Sequence, residues 1–429
     1  MNRDFDVAVI GGGFSGLSVV LHLAMYRPAL RIGWVRGHEA GFGLAYRTTD
    51  PTHLLNVRAQ RMSAWAKFDD DFVHWLHRRH PARYGATDFV PRRVYAEYLA
   101  HLDAELPATV QRIDAQAERA MLDGRWQLIL DSGATLSADH CVLATGNPAI
   151  RDPMWADGPR LVRDFWAWRL DPAWQMPPMS SDSRVLIVGS GLSAADAAMS
   201  LLDAGYAGEL LMMSPSGRLP QLHAAAPPSP VDAAAQLSRK ASALHYFSTL
   251  RRLAGEHDWR AIVDDLRCHS SALWRALDLP EQRRFMRHAW SLWNQHRHRM
   301  APQVHARLVA HRRFSVQAAR VMGVDADGRA YVRRRGCGDT SMQADLVINC
   351  SGPAYASGLL GSALMRGLLA DGLVHAHPSG LGIATPEVDG LHAIGPLLLG
   401  ERLETTAVPE LRQQADAIAV RIGRPAPSA

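Results

Sequence analysis

Cysteine is scarce in this sequence: Cys141, Cys268, Cys337 and Cys350 are the only four among 429 residues. None forms a CxxC pair or a metal-ligand spacing, which argues against a dithiol reductase and against a zinc site. HExxH and paired-carboxylate signatures are also missing, so no catalytic metal is expected. No uninterrupted apolar run reaches ~18 residues, the length a helix needs to cross a bilayer. No Lys/Arg block resembles a nucleic-acid arm. With 47 basic and 42 acidic residues the net charge is a mild +5, which permits attraction of anionic ligands. The runs Arg312-Arg313 and Arg333-Arg334-Arg335 read as solvated edges. The first apolar run follows MNRD directly, leaving no stretch for a signal peptide, so the cytoplasm is the expected location.

What is present is the composition of an ordinary globular protein, 47% hydrophobic and 21% charged. The chain is too long for one simple core, so two intertwined domains are expected. The run FDVAVI at 5–10 reads as a strand and LSVVLHLAMY at 17–26 as a helix, with glycines between them. RVLIVGSGLSAADAAMSLLDAG at 184–205 repeats that strand–glycine–helix pattern. A Pro-rich breaker, AAAPPSPV, spans 224–231. The stretch 233–310 carries helical spacing of Leu, Trp and Phe and reads as a helical insertion. Strand patterns then return, a helix is expected near 408–422, and RPAPSA reads as a loose tail. The expected fold class is α/β, two Rossmann-type dinucleotide-binding domains with that insertion. The expected boundaries are 1–170 plus 311–429 for the first domain, 171–232 for the second and 233–310 for the helices.

Four glycine-bearing turns carry the chemistry. Gly11-Gly12-Gly13-Phe14-Ser15-Gly16 has the GxGxxG spacing that permits a tight turn, close approach of backbone to a pyrophosphate, and helix–strand packing. Phosphates at such a turn meet free N–H groups and the positive end of a helix. Gly189-Ser190-Gly191-Leu192-Ser193-Ala194 repeats it, with Ala still small enough at the last position. Ala144-Thr145-Gly146 and Asn349-Cys350-Ser351-Gly352-Pro353 each follow a buried strand run. Two fingerprints call for two dinucleotides, and FAD with NADH or NADPH is the pairing that makes redox sense.

Six further runs carry a family resemblance. They are Gly41-Phe42-Gly43-Leu44-Ala45-Tyr46, His53-Leu54-Leu55-Asn56-Val57, Arg61-Met62-Ser63, Phe89-Val90-Pro91-Arg92-Arg93 with Tyr98-Leu99, Arg297-His298-Arg299, and Glu404-Thr405-Thr406-Ala407-Val408-Pro409-Glu410. Together they resemble the FAD/NAD(P)-binding family that includes the HpyO-type urate hydroxylase and also N-oxygenases of amino acids. The resemblance covers nearly the whole chain. It implies FAD on Gly11, Gly13, Phe14, Ser15 and Gly16, reduction by a nicotinamide nucleotide at Gly189, Gly191, Leu192 and Ser193, and reaction with O2. Ala144, Thr145, Gly146 and Gly352 complete the two nucleotide sites by the same likeness. Gly395-Pro396 and Thr405-Thr406 are implied to lie beside the flavin's pyrimidine end. A helix starting near Pro409 would then point its positive dipole there.

Two departures from the pattern stand out. Arg36 occupies the place of the acid that ordinarily binds a ribose some 20 residues after the fingerprint; Glu39 or backbone is left to hold that ribose. After the strand at 209–213, the loop Ser214-Pro215-Ser216-Gly217-Arg218 has one arginine where paired arginines would suit a 2′-phosphate, which favours NADH. The resemblance makes the expected enzyme a flavin monooxygenase acting on a small electron-rich substrate, with urate as the named candidate. Arginine forks and amides suit a urate edge, so Asn56, Arg58, Arg92 and Arg297 are the candidate substrate residues, with His223 after the second nucleotide loop. The rival expectations are N-hydroxylation of an amine or amino acid, and a flavin electron-transfer or redox-sensing protein. A monomer or homodimer is expected.

Overall fold

The computed structural model describes residues 3–39, 41–151, 155, 157–225, 230–355 and 357–423. Strands β1 (Arg3–Ile10), β2 (Ile32–Val35), β3 (Val110–Ile113), β4 (Ala117–Asp123), β5 (Arg125–Leu130) and β6 (Thr135–Leu143) form the first sheet in the order β3-β2-β1-β6-β5-β4. Strands β1, β2, β3 and β6 pair in parallel, and β1 and β2 are buried on both faces: Val7, Val9, Ile32 and Trp34 pack with the first helix, and Phe5, Ala8, Ile10 and Val35 share a cluster with Trp126, Leu128 and Leu130 of β5. β4 and β5 turn back as an antiparallel extension.

The next strands are β7 (Leu161–Val162), β8 (Arg184–Val188), β9 (Glu209–Ser214) and β10 (Phe314–Ala318). An antiparallel three-stranded sheet follows, β11 (Arg320–Val324), β12 (Arg329–Arg334) and β13 (Gly338–Gln343). Then come β14 (Leu346–Asn349) and β15 (Leu391–Ala393). The second main sheet is wholly parallel, ordered β10-β9-β8-β14-β7. β15 rejoins the first sheet along Cys141–Leu143 of β6, while Thr135–Ala138 of the same strand pair with β5. One edge of β6 therefore serves two different neighbours, its other edge pairing with β1.

The α/β class with two Rossmann-type units stands, but the domain boundaries differ from those the sequence suggested. The sequence pattern places 161–162 and 311–349 in the first domain, whereas β7, β10 and β14 lie in the second sheet. The reason is long-range pairing. β9 and β10 are adjacent parallel strands, and everything between them is one crossover connection, which carries no local signature of its destination. That crossover holds the helices Ala234–Leu237, Ala243–Glu256, Trp259–Ala276, Leu279–His288, Trp290–Arg297 and Pro302–Ala310, where the helical insertion was expected. Residues 226–229 of the Pro-rich stretch and the tail 424–429 lie outside the described residues.

The C-terminal helix Val408–Ile422 starts with Pro409 in its first turn. Its Val408, Leu411, Ala415 and Ala419 share one buried cluster with Leu17, Val20 and Leu21 of the first helix, Phe14–Tyr26. Burying the valine and leucine side chains among them contributes ~1.5–3 kcal/mol each. The end of the chain is thereby fastened beside its first glycine turn.

Candidate functional site: two glycine cradles and an arginine-lined cavity

Close approach explains the first fingerprint residue by residue. A Cβ on Gly11 would sit 2.1 Å from the Ala144 carbonyl oxygen, one on Gly12 2.3 Å from that of Arg36, and one on Gly16 2.0 Å from that of Gly11. Gly11 also holds φ at +132°, a region open chiefly to glycine. Gly13 differs: its Cβ would meet only Gly43 Cα at 3.7 Å and the Phe42 carbonyl at 3.9 Å. Gly13 is the extended N-cap of the helix Phe14–Tyr26, and no side chain caps that helix. Its first free N–H groups, at Phe14, Ser15 and Gly16, are therefore left for an anion. A dinucleotide pyrophosphate fits this turn.

The second fingerprint repeats the construction. Gly189, at φ +122°, would bring a Cβ to 2.4 Å from the Cys350 carbonyl oxygen. Gly191 is the extended N-cap of the helix Leu192–Asp203, again without a side-chain cap, and a Cβ there meets no heavy atom within 4 Å. Ala144 after β6 and Cys350 after β14 thus play the same part, each offering a carbonyl to the first glycine of a fingerprint. Thr145, Gly146 and Gly352 follow these strands at the rims, the two glycines at φ +75° and +86°. Ser190 Oγ ties the second turn to the loop beyond β9: it donates to the Arg218 carbonyl and hydrogen-bonds Ser214 Oγ, both at 2.7 Å.

From the first cradle a line of contacts leads to a cavity. A Cβ on Gly395 would lie 3.2 Å from Ser15 Oγ and 3.8 Å from the Thr405 carbonyl oxygen, so the fingerprint, the Gly395-Pro396 turn and the Thr405 segment converge. Glu404 pairs with Arg297 at 2.8 Å, and Arg297 also reaches Glu410 at 3.2 Å. Arg297 stands in the wall of a cavity with about 670 Å³ of empty space, part of it open to solvent. Asn56, Arg58, Gln60 and Arg61 line it from the first domain, His223 and Ala224 from the loop beyond β9, and Asp264, Arg267, Arg297 and Arg299 from the helical insertion.

Three of its arginines are balanced by carboxylates. Arg299 meets Asp264 at 3.0 Å, Arg267 meets Glu410 at 2.7 Å, and Arg297 meets Glu404. Burial raises the Glu404 carboxyl above its ordinary range, outweighing the pull of Arg297. Glu410, despite burial, is held below the ordinary range by Arg297 and Arg267. The neighbouring Thr405 is fully buried, and its hydroxyl, Glu404 Oε1, Glu410 Oε2 and Arg297 Nε have no hydrogen-bond partner in this structure. Buried polar atoms left without partners are costly, so this cluster suits a polar ligand. His223 packs on Phe89 and its Nε2 lies 2.9 Å from the Asn56 carbonyl. Burial pushes its imidazole down to about 4, so it is neutral at pH 7.

Similarity to known proteins fits this architecture. The family model described as FAD-NAD(P)-binding matches residues 8–148. No curated protein sequence matches the chain. An ornithine N-hydroxylase of Kutzneria sp. 744, solved with reduced FAD, NADP+ and L-ornithine, aligns with TM-score 0.67 and 18% identity over 98% of this chain and 99% of its own. L-lysine 6-monooxygenase from Pseudomonas syringae aligns with TM-score 0.64 and 17% identity over 97% and 99%. The thioredoxin reductase of T. acidophilum aligns at 0.55 and 13% over 98% of both chains. The fold is that of the two-domain flavoproteins.

Within this flavoprotein fold the sequence candidates scatter. Asn56, Arg58, His223 and Arg297 meet in the cavity wall. Arg92 does not: it pairs with Asp196 at 2.7 Å, donates to the Leu54 carbonyl and stacks on Trp166, joining the first domain to the second. Arg36 directs its guanidinium to Asp114 at 2.7 Å and Asp103 at 3.5 Å, so it presents its carbonyl, not its side chain, to the fingerprint. Glu39 is exposed and pairs with Arg47. Pro396 is buried in the turn, whereas Thr406 is exposed.

Sequence reasoning does not single out Gln60, Asp264 or Arg267, and it names Arg61 and Arg299 only within the runs that carry the resemblance, with no site role. For Arg267 a signal exists. It falls on the buried stripe of the helix Trp259–Ala276, between Val263 and Ser270, where an amphipathic pattern calls for an apolar residue. All four cysteines are free. No group of three or more potential metal ligands occurs among the described residues, nor any helix long and apolar enough to cross a membrane.

Proposed function

We propose that this protein is an FAD- and NAD(P)H-dependent monooxygenase that N-hydroxylates a small amine or amino acid. The observation that carries the reading is the polar cavity at the junction of the two nucleotide units and the helical insertion, joined by contact to the first cradle. The full-length likeness in fold to two N-hydroxylating enzymes supports it. Gly11, Gly13, Phe14, Ser15 and Gly16 would hold the FAD pyrophosphate, and Gly189, Gly191, Leu192 and Ser193 that of the nicotinamide nucleotide. FAD, when bound, supplies hydride acceptance and oxygen activation. The reaction balances as amine, O2, NAD(P)H and a proton giving hydroxylamine, NAD(P)+ and water.

The chain's own part is to bind, orient and exclude water. Arg58, with donations to the Thr87 and Ala224 carbonyls at 2.7 and 2.5 Å, closes the cavity across the domain junction. His223, neutral at pH 7, presents an uncharged ring to the reacting nitrogen. The Arg297–Glu404–Thr405 group offers fixed polar atoms to the flavin ring end and the substrate.

Urate is the second reading, favoured by the number of arginine forks around a site with one lining carboxylate. NADH is the proposed reductant because Arg218 is the single, exposed cation of the Ser214–Arg218 loop. The test follows NADH and NADPH loss, oxygen uptake and products with the FAD-loaded protein. Hydroxylamine formed only from amines supports the main reading, and 5-hydroxyisourate from urate replaces it with the second. Stimulation by neither refutes both and leaves an electron-transfer protein. A tenfold NADPH preference refutes the reductant assignment.

A further inference from the structure

The cavity has an excess of positive charge that its own carboxylates do not cancel. Five guanidiniums line it, from Arg58, Arg61, Arg267, Arg297 and Arg299. Three carboxylates contact them, Asp264, Glu404 and Glu410. Neither Arg58 nor Arg61 has a carboxylate within ion-pair distance among the described residues, and the hydrogen bonds of the Arg58 guanidinium go to neutral carbonyls. The surplus is five minus three, at least +2, and larger wherever Glu404 holds its proton. The paired side chains of Arg267, Arg297 and Arg299 are only 7%, 5% and 6% exposed; the surplus itself sits on Arg58, half-buried, and Arg61, exposed, where an incoming anion can reach it and salt screens it in part.

We infer that the substrate of this site is an amine bearing two acidic groups, not a cationic diamino acid of the kind named for the two N-hydroxylating neighbours. The inference rests on the N-hydroxylation reading and narrows it. Two carboxylates match the +2 surplus, and arginine's fork accepts a carboxylate through two parallel hydrogen bonds. The surplus also acts on the nitrogen. Only the neutral amine has a lone pair to offer an oxygen donor, and nearby positive charge disfavours the ammonium form. With its nitrogen neutral, a dicarboxylate amine carries −2 and closes the charge balance. Ornithine or lysine would bring a second ammonium to guanidiniums that repel it.

The experiment measures binding without turnover. L-Aspartate, L-glutamate, L-ornithine and L-lysine are titrated into the FAD-loaded, full-length protein without reductant, followed by flavin absorbance and calorimetry. The dicarboxylates should bind at least tenfold tighter than the diamino acids, and their affinity should fall between low and 0.5 M salt. R61Q should weaken L-glutamate a few-fold, the loss expected for one charge-assisted contact at an exposed arginine. Arg61→Glu should narrow or reverse the preference for dicarboxylates. FAD content and Tm, read on each variant, separate a lost contact from a lost fold.

Equal or tighter binding of ornithine or lysine overturns the inference. So does loss of FAD from R61Q, which would assign the cavity cations to the cofactor. The two readings fail separately. A bound dicarboxylate that is never hydroxylated in the assay above sinks N-hydroxylation and keeps the charge argument; turnover of lysine does the reverse.

Discussion

Arg297→Met is the most informative single perturbation of the core of this site. In the wild type the guanidinium bridges Glu404 at 2.8 Å and Glu410 at 3.2 Å, with side chains 5%, 4% and 16% exposed. Methionine keeps much of the volume and removes the charge. Glu410 retains Arg267 at 2.7 Å, so the damage falls on Glu404, left without a cation in a dry site. Removing one member of a buried pair typically costs ~3–5 kcal/mol. At about 2 °C per kcal/mol for a large cooperative unit, the apoprotein Tm should drop by about 6–10 °C.

The loss should depend on pH with a definite sign. Glu404 already titrates above pH 4.5, its ordinary value, and loss of Arg297 raises it further. A carboxyl raised in the folded state binds more protons there than when unfolded, so stability falls as pH rises through that interval. The deficit of the variant should be small near pH 4.5 and grow toward neutrality. Adding Glu404→Gln removes the stranded charge, and the double variant should regain most of the loss, to within ~1–2 kcal/mol of wild type. Calorimetric melts of the three proteins from pH 4.5 to 8 supply the readout. A single-variant loss under ~1 kcal/mol, or a double variant no better than the single, refutes the reasoning.

Other outcomes follow from particular geometries. Gly191→Ala places a methyl where no protein atom lies within 4 Å, so Tm and FAD content should stay unchanged while the NAD(P)H KM rises; an unaltered KM would remove that turn from the nucleotide site. Gly11→Ala meets the Ala144 oxygen at 2.1 Å from a backbone at φ +132°, and should lose both FAD and stability, a melting curve and flavin spectrum matching wild type being the contrary result. His223, at about 4 when folded against 6.5 when unfolded, takes up its proton late, so its contribution to stability is lost as pH falls from about 6.5 to 4. His223→Gln should flatten that limb of the Tm-against-pH curve, and an NMR titration of His223 near 6.5 would contradict its burial. Arg36→Ala severs only partly exposed ion pairs and should change Tm by ~1–2 °C or less and FAD affinity little; a large FAD loss would return Arg36 to the cofactor site.

Both nucleotide turns were legible in the sequence because their requirement is local. A strand must stop, glycine must adopt a positive φ (+132° at Gly11, +122° at Gly189) or admit a carbonyl into the space a Cβ would fill, and a helix must start uncapped. Each condition leaves its mark within about ten residues. The helical insertion and the C-terminal helix were legible for the same reason, through apolar spacing. Membership of β7, β10 and β14 in the second sheet was not, because parallel neighbours are joined by long crossovers whose pairing only the assembled sheet decides. The cavity was legible in part. Asn56, Arg58, His223 and Arg297 were marked by residue type, yet Arg92 and Arg36 have the same chemistry and are turned to Asp196 and to Asp103 and Asp114. An arginine's type gives its charge; which carboxylate folding brings beside it determines whether that charge is available to a ligand.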